Sequence, residues 1–222
     1  GDIMSGVASE MRTTAGSDNA VDFDKIYNIV EIFHSVQGEG YRSGIPHVFI
    51  RFGGCNLRCE WCDTDFNTYD KMSVRAILDD VQAYPCKNIV FTGGEPMLND
   101  LWPIAKILRQ RGYHLSIESN GTVPIPEGLI DWICISPKDQ MYSKVPIKQR
   151  TGDELKCVYV GQPLEMYQDL KQGFTHLFLQ PCYDDQQSVE ANGRSFAMTE
   201  EVVKANPDWR LSLQTHKWMG IL

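Results

Sequence analysis

The chain of 222 residues has no apolar run near the roughly 18–20 residues that a membrane-spanning helix needs. It also lacks a surplus of positive charge: 21 Lys and Arg face 29 Asp and Glu, a formal charge of −8. Nucleic acid and anionic membrane surfaces, which require clustered cations, are thereby excluded as main partners. A local basic pocket for a small anion is not. Gly1 to Ala20 lacks the apolar centre of a signal peptide. The seven cysteines make a poor disulfide framework, because the count is odd and Cys86, Cys134, Cys157 and Cys182 are scattered. These absences fit a protein of the reducing cytoplasm. No repeat, low-complexity tract or long linker interrupts the chain. Residues 1–24, small and polar, read as a flexible tail or expression remnant, with Met4 or Met11 the natural start. Residues 25–222 read as one domain.

What is present is a hydrophobic fraction of 42%, enough for a sizeable core. From Ile26 onward β-rich runs alternate with helical patterns. Ile26–Phe33, His47–Phe52, Asn88–Thr92, His114–Glu118, Asp131–Ser136, Glu154–Val160, His176–Gln180 and Trp209–Gln214 read as strands. Ser73 is placed to cap a helix over Val74–Tyr84, with Ile77, Leu78 and Val81 on one face. Asn99 or Asp100 caps a second helix to Arg111, stopped by Gly112. Pro163–Gln172 and Met198–Asn206 read as two more, and Asn120-Gly121 as a turn. Strand–helix alternation predicts a parallel sheet with helices outside. The helices are fewer than the strands and some connections are long, so the α/β architecture expected is an abbreviated, open partial TIM barrel. In such sheets reactive residues sit at the C-terminal ends of strands. Cys55, Thr92 to Pro96, Ser119 to Gly121, Ser136 to Lys138 and Gln180-Pro181 all fall at such ends.

The densest chemistry lies in Gly53-Gly54-Cys55-Asn56-Leu57-Arg58-Cys59-Glu60-Trp61-Cys62-Asp63-Thr64. Its cysteines are spaced C-x3-C-x2-C. One short loop can wrap a compact cluster, and thiolates are the preferred ligands of iron–sulfur centres. Three thiolates on a cubane that ordinarily takes four leave one iron open, the coordination vacancy a substrate-binding metal needs. A zinc knuckle completed by His34, His47 or a distant Cys is the alternative, although no matching C-x2-C or H-x3–5-H pair follows downstream.

C-x3-C-x2-C with an aromatic residue before the last Cys resembles the signature of the radical S-adenosylmethionine (SAM) superfamily. Thr92-Gly93-Gly94-Glu95-Pro96 resembles its second motif, which holds the methionyl amino group; paired glycines permit close backbone approach, and Glu95 could pair with an ammonium. Glu31-Ile32-Phe33-His34-Ser35-Val36-Gln37-Gly38-Glu39-Gly40, Phe49 to Leu57, Trp61 to Asp65, Ser119-Asn120-Gly121-Thr122, Trp132 to Lys138, Glu154-Leu155-Lys156 and Leu211 to Lys217 are similar to the 7-carboxy-7-deazaguanine synthase family. The resemblance runs from about Ile26 to Leu222 and weakens over Cys182 to Ala197. It implies conversion of 6-carboxy-5,6,7,8-tetrahydropterin to 7-carboxy-7-deazaguanine on the way to queuosine and related deazapurines. In that reaction a 5′-deoxyadenosyl radical removes hydrogen from C6, the ring contracts and ammonia leaves. It further implies a [4Fe–4S] cluster, SAM and Mg2+ as cofactors, a homodimer, and an electron donor such as flavodoxin or ferredoxin.

Carried over by motif, Cys55, Cys59 and Cys62 bind the cluster. Glu60, Trp61, Cys62, Gly94, Ser136, Pro137, Lys138, Gln180, Pro181, Cys182 and Tyr183 line SAM, and Thr64 ligates Mg2+. Val36, Gln37, Gly38, Arg51, Thr92 and the terminal Leu222 touch substrate. The residue chemistry agrees: Arg51 can fork onto a carboxylate, Gln37 offers donor and acceptor together, and Mg2+ binds sparsely through water and substrate oxygens. Each has a structural alternative: an ion pair for Arg51, a turn side chain for Gln37, a cap for Thr64, and packing for His216 and Lys217. Two other functions share the cysteine spacing, an activase that installs a glycyl radical on a partner protein and a non-catalytic zinc or iron–sulfur module.

Overall fold

In the computed structural model the described residues are 20–56, 68–138 and 145–219. The strands are β1 (Ile26–Val36), β2 (Pro46–Phe52), β3 (Asp70–Ser73), β4 (Asn88–Gly93), β5 (His114–Ser119), β6 (Trp132–Ile135), β7 (Gly152–Tyr159), β8 (Phe174–Pro181) and β9 (Arg210–Leu211). The helices are α1 (Val74–Val81), α2 (Trp102–Gln110), α3 (Val189–Ala205) and α4 (Thr215–Trp218). The strands form one sheet in the order β3-β1-β2-β4-β5-β6-β7-β8-β9. From β2 to β9 every neighbour is parallel. At the other edge β1 runs antiparallel to both β2 and β3, so the parallel sheet expected from the sequence carries an antiparallel margin. A nine-residue-scale loop joins β1 to β2, too short for a crossover helix, so the pair folds back as a wide hairpin. Among the described residues β3 and β9 stay unpaired with one another and the sheet remains open.

Helices form where the expected signals lie. Ser73 Oγ accepts from Ala76 N at 3.1 Å, and Val74, Ile77, Leu78 and Val81 bury one face of α1. At α2, Leu101 occupies the cap position while Asp100 Oδ1 takes the Trp102 N–H at 3.1 Å. Gly112, at φ 83°, ends that helix in the left-handed conformation. The single helix expected over Pro163–Gln172 is instead two 3-10 turns, Leu164–Tyr167 and Leu170–Gly173. The reason lies in the spacing: Leu164, Tyr167 and Leu170 recur every third residue, the period of the 3-10 helix, and all three pack on the core. Helix α3 begins well before Met198, capped by Ser188 Oγ on Ala191 N at 3.1 Å. It buries mainly Asn192 and Thr199, so apolar periodicity does not announce its first turns. Only Arg210–Leu211 of the expected last strand pairs with β8, and β3 carries no strand signal of its own. Val21 and Phe23, within the segment read as a tail, pack against the core, and the Phe23 carbonyl accepts from Arg75 N.

Alternation along the strands divides the sheet into two unlike faces. Ile50, Phe91, Ile117, Ile135, Leu155 and Leu179 are fully buried and share one core with Ile77 of α1 and with Ile104 and Leu108 of α2. The neighbours in sequence look the other way: Arg51, Thr92, Glu118, Cys134, Glu154, Lys156 and Gln180. That polar face is the inside of a curl. In a flat sheet the end of β1 and the end of β8 would stand roughly 29 Å apart, six interstrand steps of about 4.8 Å. Glu39, three residues after β1, nevertheless accepts from Gln180 Nε2 of β8 at 2.7 Å. Three residues of chain span at most about 10 Å, so the sheet must bend around the loop that follows β1.

Candidate active site

The loop after β1 lies across the inside of the curled sheet and forms its floor. Gln37 Nε2 donates to Glu118 Oε1 of β5 at 3.2 Å, and Gln37 Oε1 accepts from Glu39 N. Gly40 N donates to Ser212 Oγ at 2.9 Å, and the Gly38 carbonyl accepts from Thr215 N and Oγ1. Glycine is required at two points. A Cβ at Gly38 would fall against the His216 ring and the Thr215 hydroxyl. Gly40, at φ 67°, would drive a Cβ into the Glu154 carboxylate.

Above this floor sits a buried ionic cluster. Lys156 Nζ lies 3.4 Å from Glu118 Oε1 and 3.5 Å from Glu39 Oε1, with its side chain 5% exposed. Thr92 Oγ1 donates to Glu118 Oε2 at 3.2 Å, Ser212 Oγ to Gln180 Oε1 at 2.9 Å, and Trp132 Nε1 to Glu154 Oε2 at 2.7 Å. Burial alone would raise the Glu39 carboxyl, but the Lys156 ammonium, the Gln180 amide and the more distant His216 and Lys138 outweigh it and hold it down at about 2. For Lys156 the balance tips the same way. Burial disfavours the ammonium, yet Glu118 and Glu39 push its pKa well above the ordinary lysine value. Glu154 moves the other way, raised by burial and only partly offset by Lys156 and Trp132.

At the C-terminal ends of the strands the Gly-Gly-Glu-Pro turn presses on the chain entering the cysteine loop. Gly94 N donates to Phe52 O at 3.2 Å and Glu95 N to Gly54 O at 2.9 Å. A Cβ at Gly94 would land on the Gly54 carbonyl oxygen and within 3.0 Å of Cys55 Cβ, and Gly93 holds φ 123°. This glycine cradle beside Cys55 fits a site where backbone must come close to a bound group. Glu95 turns away from the open rim. Its carboxylate accepts from Ser119 Oγ, Asn120 N at 2.8 Å and Met97 N at 3.1 Å. Burial raises its pKa against the pull of those donors. These bonds make it an anchor of the rim.

The remaining expected site residues fall as follows. Lys138 Nζ donates to Ser136 Oγ at 3.3 Å on the rim beside Pro137. Cys182 follows Pro181 at the end of β8, and Tyr183 meets Trp218 edge-on with ring centroids 5.0 Å apart. Arg51 Nε donates to Glu31 Oε1 at 2.9 Å. Val36 closes β1 opposite Pro46 and is exposed. Cys59, Glu60, Trp61, Cys62, Thr64 and Leu222 lie outside the described residues. Glu39, Glu118 and Lys156 had no role in the sequence reading, although a signal exists. A charge in the middle of an apolar strand, as in Leu115-Ser116-Ile117-Glu118 and Leu155-Lys156-Cys157-Val158, marks the face turned away from the core.

A curled, mostly parallel sheet with a cysteine-bearing loop at its C-terminal rim defines a radical SAM enzyme, and residues 49–135 match the radical SAM superfamily model. The chain is 43% identical over 193 residues to the 7-carboxy-7-deazaguanine synthase of Bacteroides thetaiotaomicron, covering 87% of this chain and 97% of that one. It is 38% identical over 200 residues to the synthase of Neisseria meningitidis serogroup B, covering 88% and 94%. The crystal structure of QueE from Escherichia coli superposes with a TM-score of 0.67 at 26% identity, over 85% of this chain and 93% of that one. The chain belongs to the 7-carboxy-7-deazaguanine synthase family. A [4Fe–4S] cluster and SAM are the cofactors of its class. Among the described residues no helix is long and apolar enough to cross a membrane.

Proposed function

We propose that the chain converts 6-carboxy-5,6,7,8-tetrahydropterin to 7-carboxy-7-deazaguanine with loss of ammonia. The observation that carries this reading is the Lys156–Glu39–Glu118 cluster, set with Gln37 and Thr92 inside the sheet and beneath the cysteine rim. A pterin edge carries adjacent N–H donors and a carbonyl acceptor. Carboxylate, amide and ammonium groups fixed by one another can match that edge without reorganising. Cys55, Cys59 and Cys62 would hold the cluster. Gly94, Ser136, Pro137, Lys138 and Gln180 to Tyr183, with Glu60 and Trp61, would line SAM, and Thr64 would hold Mg2+. When bound, the cluster and SAM supply reductive cleavage of a carbon–sulfur bond and hence one-electron hydrogen abstraction.

The chain's own residues orient and sequester. Gln37 presents one amide to Glu118 and takes the Glu39 N–H, so the floor is rigid before substrate arrives. Arg51, aligned by Glu31, offers a guanidinium for the pterin carboxylate. Val36, Gly38 and Thr92 complete the substrate wall, with Leu222 at the chain end. Lys156 holds the Glu39 carboxylate charged, so that it can accept from the N–H groups of the pterin ring while Arg51 meets the substrate's own carboxylate. A homodimer in the cytoplasm, reduced by a flavodoxin or ferredoxin, completes the reading.

The test is anaerobic reconstitution with iron and sulfide, followed by SAM, a reductant and the carboxytetrahydropterin. Formation of the deazaguanine, detected by mass and ultraviolet spectrum and abolished in Cys59→Ala, is the expected result. A fully loaded cluster with no turnover would reject the reading. Hydrogen transfer from a protein glycine without pterin turnover would select the activase, and a colourless zinc-only protein the non-catalytic module.

A further inference from the structure

The residue after Cys55 is held by a small closed network. Asn56 Nδ2 donates to Thr122 Oγ1 at 2.8 Å, and Asn120 Nδ2 donates to Asn56 Oδ1 at 2.9 Å. Asn120 Oδ1 accepts from Thr122 Oγ1 at 2.7 Å and from Thr122 N at 3.0 Å. Asn120 and Thr122 are buried, whereas Asn56 stands on the exposed rim. The network joins a second one. Asn120 N and Ser119 Oγ donate to Glu95, and Glu95 N donates to Gly54 O. The path Gly54–Glu95–Asn120–Asn56–Cys55 therefore closes on itself around the first cysteine.

An Asx turn at Asn120 explains only half of this. The turn uses the side-chain oxygen toward Thr122 N, a task that aspartate performs equally well. The amide nitrogen is the surplus, and it reaches across 64 residues of sequence to Asn56. We propose that Asn120 is a positioning residue for the iron–sulfur loop: with Thr122 it clamps Asn56 and so fixes the Cys55 end of that loop against the Gly94 turn. The proposal rests on the reading of Cys55 as a cluster ligand. Its function is geometric. A thiolate ligand on a hinge can drift from its iron, whereas one gripped on both sides returns to the same place after each loss or uptake of the cluster.

The test separates this from a general effect on the turn. Cluster-free protein is treated anaerobically with iodoacetamide, and modification of Cys55 is followed by peptide mass. Loss of the two bonds on Asn56 should raise the rate about tenfold in Asn56→Ala, with a similar rise in Asn120→Ala. The double variant should do no more than either single change. Asn56→Asp keeps the acceptor toward Asn120 Nδ2 but gives up the donation to Thr122 Oγ1, whose single proton already goes to Asn120 Oδ1, and should fall between the parent and Asn56→Ala. Adding Asn120→Asp to it sets two carboxylates face to face at unchanged size and should restore the fast rate. In reconstituted protein the fast variants should show an altered electron paramagnetic resonance spectrum of the reduced cluster with SAM. Asn56→Ala at a rate within twofold of the parent, or single-variant effects that multiply in the double, would overturn the proposal. If the parent loads no [4Fe–4S] cluster the functional reading fails, and the alkylation series still decides whether the clamp exists.

Discussion

Replacing Lys156 by Met removes the one ammonium lying between Glu39 and Glu118 while keeping the length of the side chain. The two carboxylates stand 3.5 and 3.4 Å from Nζ, so its loss leaves two buried or half-buried negative charges facing each other. Breaking a buried pair from one side typically costs about 3–5 kcal/mol. A carboxyl depressed in the folded state, as that of Glu39 is, adds stability that is complete above its unfolded pKa of 4.5 and is lost as pH falls through about 2. In Lys156→Met the largest part of that contribution disappears, and burial then raises the Glu39 carboxyl so that it gains a proton more readily than in the parent. The gap between parent and variant should therefore be widest near pH 7 and narrow by about 1 kcal/mol or more by pH 4. Urea denaturation of cluster-free protein at both pH values measures it, and at pH 7 melting should fall by about 10 °C. A gap below about 1 kcal/mol, or one independent of pH, would refute the view that this ammonium organises the site.

Gly94→Ala places a methyl group on the Gly54 carbonyl, so SAM binding should fall by about a hundredfold or more in equilibrium titration while the outer core still melts cooperatively. Glu118→Gln keeps the shape of the floor but removes the charge opposite Lys156. The KM for the pterin should rise about tenfold or more, with the Kd for SAM changed less than threefold. Tyr27→Phe deletes the 2.6 Å hydrogen bond to the Asp100 carbonyl at the edge of the hydrophobic core; it should cost about 1–2 kcal/mol in urea denaturation and leave kcat unchanged.

Much of the fold is legible because periodicity and caps act locally. Ser73 before Val74, and Gly112 after α2, mark their boundaries through bonds made within one turn. The errors occur where long-range contacts decide. β3 exists because Asp70 to Ser73 find β1, α3 starts early through a serine cap with little amphipathic signal, and the antiparallel entry of β1 depends on a loop whose partners lie on β5, β7 and β8. The same division holds at the site. Short motifs expose Cys55, Gly94 and Gln37, since each sits in a stretch with unusual local chemistry. Glu118 and Lys156 come from strands 38 residues apart and acquire meaning only when the sheet brings them to 3.4 Å. Glu95 shows the converse: a prominent motif residue whose carboxylate is spent on Ser119, Asn120 and Met97.

The two-faced sheet bears on how such a scaffold can be adapted. Within Glu154-Leu155-Lys156-Cys157 alternate letters answer to different demands, Leu155 and Cys157 to the hydrophobic core and Glu154 and Lys156 to the chamber. A library that varies positions 39, 118, 156 and 180 together, exchanging charges as a neutral set, can remodel ligand preference while the apolar letters between them keep the architecture intact. Single charge swaps in the chamber do not share that freedom, so viable change there should arrive in compensating pairs.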